Sequence, residues 1–249
     1  MTQFKIEPPV IAHRGASAYA PENTLAAFKK ARDLGVSWVE LDVMLAACGE
    51  LIVFHDETLD RLSAVKGSVS EFTFEALQKI DVGSWFDPQF SAERIPTLKQ
   101  VLEFLQQNNM AVNIELKPLP GQEQELAQKV LGLLAQVWPS YLPAPLLSSF
   151  SVEALQALRA NSAACGLGLL MEELFPNWQS IQKTLQCVSL NINQAVINAE
   201  SIKILQSAQL PLLSYTVNNP WRARELFSLG VSAFFTDCPD RILEVIFLQ

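Results

Sequence analysis

Two hydrophobic patterns alternate along the chain. Short continuous apolar runs are followed by longer stretches in which apolar residues recur every three or four positions. The run VIAH at 10–13 leads through Pro21, Glu22, Asn23 and Thr24 into the amphipathic stretch TLAAFKKARDLG. There Asn23 or Thr24 can cap a helix and Gly35 can close it. WVELDVML and ELIVFHD follow, then AVNIELK, a helical stretch of about 122–138, and LLSSF. The cycle continues through LGLLM, SLNIN, LLSYTVN and VSAFFTD, each next to a helical pattern. Apolar runs without polar alternation suit strands buried on both faces, and strand–helix alternation implies right-handed parallel βαβ units.

Roughly eight such units are visible in 249 residues, the number and length that close a (β/α)₈ barrel, the TIM fold. An open doubly wound sheet is the competing arrangement. It would be signalled by G-x-G-x-x-G after the first strand, where this chain has HRGASAY. The whole chain, 1–249, therefore reads as a single barrel domain. Residues of about 56–107 break the rhythm with scattered turn residues, VKGSVSEFT, DVGSWFDPQF and ERIPTL. They are expected to form a small insertion after the His55–Asp56 strand, over the barrel mouth.

Composition narrows the class. Hydrophobic residues at 49% and charged residues at 18% exclude a disordered chain, and a net charge of −8 argues against a nucleic-acid surface. No apolar stretch approaches the ~18 residues that span a bilayer, and the N-terminus lacks a signal-peptide core, so a cytoplasmic protein without membrane insertion is expected. Self-association is left open. The four cysteines lie far apart without C-x-x-C spacing and are expected to be buried, reduced thiols.

Barrel chemistry sits at the C-terminal ends of the strands. His13 and Arg14 end the first strand, Glu40 and Asp42 the second, and His55 and Asp56 the ELIVF run. Asn113, Glu115 and Lys117 lie on AVNIELK, and Tyr215 and Asn218 on LLSYTVN. Strand side chains alternate with period two, so Glu40 and Asp42 share a face, as do Asn113, Glu115 and Lys117. Carboxylates converging inside a barrel mouth repel one another unless a cation joins them. An all-carboxylate set suits a hard ion such as Mg²⁺, Ca²⁺ or Mn²⁺. The chain's two histidines, His13 and His55, each follow a strand beside a charged residue and can serve as general base and general acid. Arg14 and Lys117 offer positive charge to an anion, and the combination fits phosphoryl transfer.

These residues carry a family resemblance. HRGASAYAPENTLAAF, VELDV, FHDETLDRL, NIELKP, YTVN and TDCP, in that order from about residue 10 to 239, resemble the glycerophosphodiester phosphodiesterases. The lack of a signal sequence looks like that family's cytosolic bacterial branch. DVGSWFDPQF and IPTL are similar to that family's insertion. The resemblance implies a TIM barrel that hydrolyses a small-molecule glycerophosphodiester to sn-glycerol 3-phosphate and an alcohol, with one divalent ion and a cyclic phosphate intermediate. By position, His13 and His55 match the catalytic pair, Glu40, Asp42 and Glu115 the metal ligands, and Arg14 and Lys117 the phosphate-binding cations. Three positions depart. The usual T-x-D-G reads Ala46-Ala47-Cys48-Gly49, the usual R-T-T reads Arg61-Leu62-Ser63, and Tyr215 replaces a common tryptophan as an aromatic, substrate-binding wall. The rival readings are a Schiff-base aldolase with Lys117 as the amine and a non-catalytic metal- or phosphate-binding barrel.

Overall fold

The computed structural model describes residues 5–247. The strands are β1 (Val10–Ala12), β2 (Trp38–Leu45), β3 (Leu51–Val53), β4 (Ala111–Leu116), β5 (Leu146–Ser149), β6 (Gly166–Met171), β7 (Ser189–Asn193), β8 (Leu212–Tyr215) and β9 (Ala233–Thr236). The helices are α1 (Leu25–Asp33), α2 (Phe74–Leu77), α3 (Leu98–Gln107), α4 (Glu123–Val137), α5 (Val152–Asn161), α6 (Trp178–Thr184), α7 (Ser201–Gln206), α8 (Pro220–Ser228) and α9 (Pro239–Phe247).

All strands except β3 are parallel, and β1 pairs with both β9 and β2, so eight strands close into a TIM barrel. That closure disposes of the open sheet. β3 lies outside the ring, antiparallel to β2 with Val43 opposite Val53. Every residue of β2 is buried, its carboxylates included. Leu41 and Val43 face the main core under the helices, whereas Ile11, Trp38, Ala111, Leu146, Leu213 and Phe235 fill the lower barrel interior. Glu40 and Asp42 thus stand above an apolar floor that excludes water.

The insertion buries Leu59, Leu62, Leu77 and Ile95 in a small second core together with Met44 of β2 and Ile52 of β3. It ends earlier than the turn residues suggest. Residues 98–107 are a regular helix, α3, started by a reciprocal capping box between Thr97 and Gln100. Its Leu98, Val101, Leu102 and Leu105 are buried in the barrel's core, so α3 belongs to the outer ring. At the first helix Thr24 is the cap, its hydroxyl accepting from the Ala27 N–H. Asn23 is left for a different task.

All four cysteines are free. Cys187 and Cys238 are buried and Cys165 is half-buried, but Cys48 is exposed, contrary to expectation. It occupies the turn between β2 and β3, where its sulfur accepts from the Phe74 N–H. Among the described residues no helix is long and apolar enough to cross a membrane.

Candidate active site

The turn after β1 explains much of the site. Arg14 adopts a left-handed backbone conformation, with φ 56°, followed by Gly15 with φ 81°. A Cβ at residue 15 would lie 2.6 Å from the Ala27 backbone, so only glycine lets this turn settle on α1. A non-glycine residue in this region costs roughly 1–3 kcal/mol. The strain aims the Arg14 N–H at Glu40 Oε2, 3.0 Å away. The Arg14 guanidinium meanwhile bonds Glu22 at 2.7 Å and pairs with Asp42 at 3.2 Å. One residue holds three carboxylates in place.

Parallel pairing puts Asp42 beside Glu115 and Glu40 beside Asn113. Glu40, Asp42 and Glu115 offer carboxylate oxygens all within 4.8 Å of one another. Burial lifts the Glu40 carboxyl well above its ordinary range, and Asp42 and Glu115 lift it further. Burial, aided by Asp42, raises Glu115 to about 7. Burial would raise Asp42 too, but Arg14, His55 and Lys117, with a 2.8 Å hydrogen bond from Asn23, bring it below the usual value. Lys117 bonds Glu115 at 3.1 Å and lies 3.9 Å from Asp42. Burial works against its charge, but those two carboxylates outweigh it and hold the ammonium above its ordinary value. A Schiff-base amine needs the opposite shift.

The donor set fits a divalent cation. Glu40 Oε1 and Asp42 Oδ1 are buried with no hydrogen-bond partner, and two such carboxylate oxygens side by side are costly without a positive ligand. Three carboxylates with no nitrogen or sulfur among them suit a hard ion.

Each imidazole is braced at Nδ1. His13 contacts Asp237 Oδ1 at 2.8 Å, and His55 contacts Asp56 Oδ1 at 2.6 Å. Burial alone would raise both aspartates, but hydrogen bonding holds each at about 2. As ionised carboxylates they can only accept, so Nδ1–H donates and Nε2 is the nitrogen left for proton transfer. The braces differ in their own surroundings. Arg61 forks onto Asp56 at 2.7 and 2.9 Å and onto Glu22 at 2.7 and 2.8 Å. Asp237 instead receives neutral donors, Ser17 at 2.9 Å and Asn218 at 2.6 Å. Burial pushes His55 below its ordinary value, with Arg14 and Lys117 opposing Asp42.

His13, Arg14, Glu40, His55, Glu115 and Tyr215 line one cavity of about 290 Å³ at the barrel mouth. Asp42 lies within the acidic trio, and Lys117 lines an adjoining groove that shares His55 and Glu115. All eight sequence candidates therefore meet here. The residues that sequence reasoning left without a role are Glu22, Asn23, Arg61, Glu172 and Asp237. Glu22, Asn23, Arg61 and Asp237 stand inside the motifs PENT, LDRL and TDCP, but spacing alone gives no hint of their partners. Glu172 belongs to no such motif.

A largely buried acidic trio suited to a hard cation, flanked by two imidazoles and two fixed positive charges, is chemistry for an anionic ester. Fold and site together define a barrel hydrolase of phosphate esters. Residues 13–241 match the Glycerophosphoryl diester phosphodiesterase family, and the chain belongs to that family, a family of hydrolases. It is similar to the glycerophosphodiester phosphodiesterase of Caldanaerobacter subterraneus subsp. tengcongensis, 33% identical over 95% of this chain and 97% of that one. It is likewise similar to that of Bacillus altitudinis, 31% identical over 95% and 97%. Among solved structures, a phosphodiesterase of Oleispira antarctica in complex with the product sn-glycerol-3-phosphate superposes with a TM-score of 0.92. It is 36% identical, with 96% of each chain covered.

Proposed function

We propose that the chain hydrolyses glycerophosphodiesters to sn-glycerol 3-phosphate and an alcohol, using His13 and His55 for proton transfer. In this reading Glu40, Asp42 and Glu115 hold one divalent cation, Mg²⁺ or Ca²⁺ with Mn²⁺ as an alternative. The carrying observation is the pair of orphaned buried oxygens, Glu40 Oε1 and Asp42 Oδ1, beside two imidazoles braced by carboxylates. The sn-glycerol-3-phosphate in the Oleispira antarctica structure supports the choice of substrate.

When bound, the cation supplies Lewis-acid polarisation of a phosphate oxygen and the adjacent glycerol hydroxyl. Arg14 and Lys117 offer N–H donors to the remaining phosphate oxygens. His55, whose brace is already neutralised by Arg61, starts unprotonated and removes the proton from that hydroxyl. His13, set on the uncompensated Asp237 carboxylate, gives a proton to the leaving alcohol. One oxygen–phosphorus bond forms as the other breaks, leaving a cyclic phosphate. Water opens this ring with the histidine roles reversed, which returns both imidazoles to their starting states. Each histidine contributes roughly 10²–10⁴-fold.

The test is release of sn-glycerol 3-phosphate from a panel of glycerophosphodiesters with Mg²⁺, Ca²⁺ or Mn²⁺ added to metal-stripped protein. Release that depends on the ion supports the reading. No release with any of the three removes it.

A further inference from the structure

The mouth cavity has two chemically distinct halves. The acidic trio, Arg14 and the histidines come from the β1, β2, β3, β4 side of the ring, with Asp237 following β9. The opposite arc, the ends of β5 to β8, contributes Phe150, Glu172, Asn193 and Tyr215. Phe150 and Tyr215 meet edge to face with centroids 5.8 Å apart, and Phe150 is 44% exposed. The Glu172 carboxylate is fixed by neutral donors alone, the Asn193 amide at 2.6 Å and the Tyr215 hydroxyl at 3.1 Å. Among the described residues no lysine, arginine or histidine pairs with it.

This arc presents aromatic surface and one carboxylate that no cationic side chain among the described residues neutralises. The Tyr215 hydroxyl proton is shared between Glu172 and the Met171 carbonyl at 2.9 Å. One N–H of the Asn193 amide goes to Glu172, and one of the Gln194 amide to the Thr216 carbonyl at 2.7 Å. A cationic group needs only a fixed negative charge and π-faces, and those are what the wall offers.

Building on the proposed glycerophosphodiesterase reaction, we infer that Glu172, Tyr215 and Phe150 form a subsite for a positively charged alcohol group of the diester, a quaternary or primary ammonium. Tyr215 then serves as a positioning residue for Glu172 as well as an aromatic wall. The phosphate stays on the far side, between Arg14 and the histidines, so Glu172 acts on binding of the alcohol portion rather than on the chemical step.

The experiment compares kcat/KM for glycerophosphodiesters of choline and ethanolamine with those of glycerol and inositol, using the full chain with its divalent ion. The wild type should favour the two cationic diesters. In Glu172→Gln, which keeps size and one of the two acceptor oxygens but loses the charge, the cationic-to-neutral ratio should fall about tenfold, mainly through KM. Glu172→Lys should drop the ratio further, and high salt should weaken the wild-type preference. An equal loss on both substrate types, or an unchanged ratio, overturns the subsite. A wild type that cleaves none of the four diesters overturns the proposed reaction itself, a result distinguishable from an unaltered ratio in an active enzyme.

Discussion

Glu115→Gln separates the candidate metal site from an ordinary buried acid, because its effect on stability should change sign with the ion. Raising a carboxyl from 4.5 to about 7 corresponds to on the order of 3 kcal/mol, at about 1.4 kcal/mol per unit. The sign follows from proton binding. A carboxyl whose folded pKa is raised binds its proton more tightly in the folded chain, so below pH 4.5 it costs nothing. As pH rises through 7 the folded state loses that amount. Chelator-treated wild type should therefore lose stability from this group between pH 5 and 8, and the glutamine variant should not. Glutamine keeps an oxygen for the Lys117 ammonium that Glu115 holds at 3.1 Å. The apo variant should then be more stable than apo wild type at pH 8 by about 1–3 kcal/mol, or roughly 3–10 °C for a domain of this size.

With ion present the order reverses. Saturation at a hundred times the dissociation constant adds about 2.7 kcal/mol to wild type, whereas the variant has lost one of three anionic ligands and should gain much less. Thermal melts at pH 5 and 8, with chelator and with Mg²⁺ or Ca²⁺, give the four numbers, and titration calorimetry gives the affinities. If the variant binds the ion as tightly as wild type, Glu115 is not a ligand. If the apo variant is less stable at pH 8, mutual repulsion among the three carboxylates is not what governs the cluster.

Four further outcomes are expected. His13→Ala and His55→Ala should each lower kcat by about 10²-fold or more with the melting temperature near wild type; near-normal turnover in either removes that histidine from the reaction. A diester lacking the glycerol hydroxyl next to the phosphate should bind as a competitive inhibitor yet resist cleavage, and its rapid hydrolysis would favour direct attack by water. Arg61→Ala frees Asp56 and Glu22 together, so kcat should fall about tenfold and the low-pH limb of the rate profile should move upward as His55 gains proton affinity; an unmoved profile contradicts the link. Asp237, held at about 2 against 3.8, contributes on the order of 2 kcal/mol that is present above pH 4 and lost as pH falls toward 2. Asp237→Asn should accordingly flatten the acid limb of an unfolding curve; an equally steep limb would locate the acid sensitivity elsewhere.

The barrel was legible because its strands are buried on both faces, which leaves continuous apolar runs separated by capped helices. The carboxylates stood out against those runs for the same reason. His55 could be matched to Asp56 because the two are adjacent. His13 could not be matched to Asp237, since 224 residues separate them and only closure of β1 onto β9 joins them. Asn23 read as one of two candidate helix caps. The fold assigns it to Asp42 because Thr24 stands one residue closer to the helix. The extent of the insertion was overestimated where a proline and turn residues run directly into α3. Its amphipathic pattern begins only after the Thr97 cap, so local composition hid the boundary.

Two identical side chains acquire different tasks here through the partners of their partners. His13 and His55 both rest on a carboxylate, but Asp56 shares its charge with Arg61 while Asp237 shares none with a cation. In the proposed reaction the division between base and acid therefore rests on these surroundings rather than on either histidine. It depends on Arg61, which the insertion supplies, and on Glu22, which that same arginine joins to Arg14. A segment outside the eight-stranded ring therefore supplies the arginine that links the His55 brace to the Glu22 partner of Arg14. An insertion with a packed core is the form such a segment must take, because a loose loop could not hold a bidentate ion pair at fixed length.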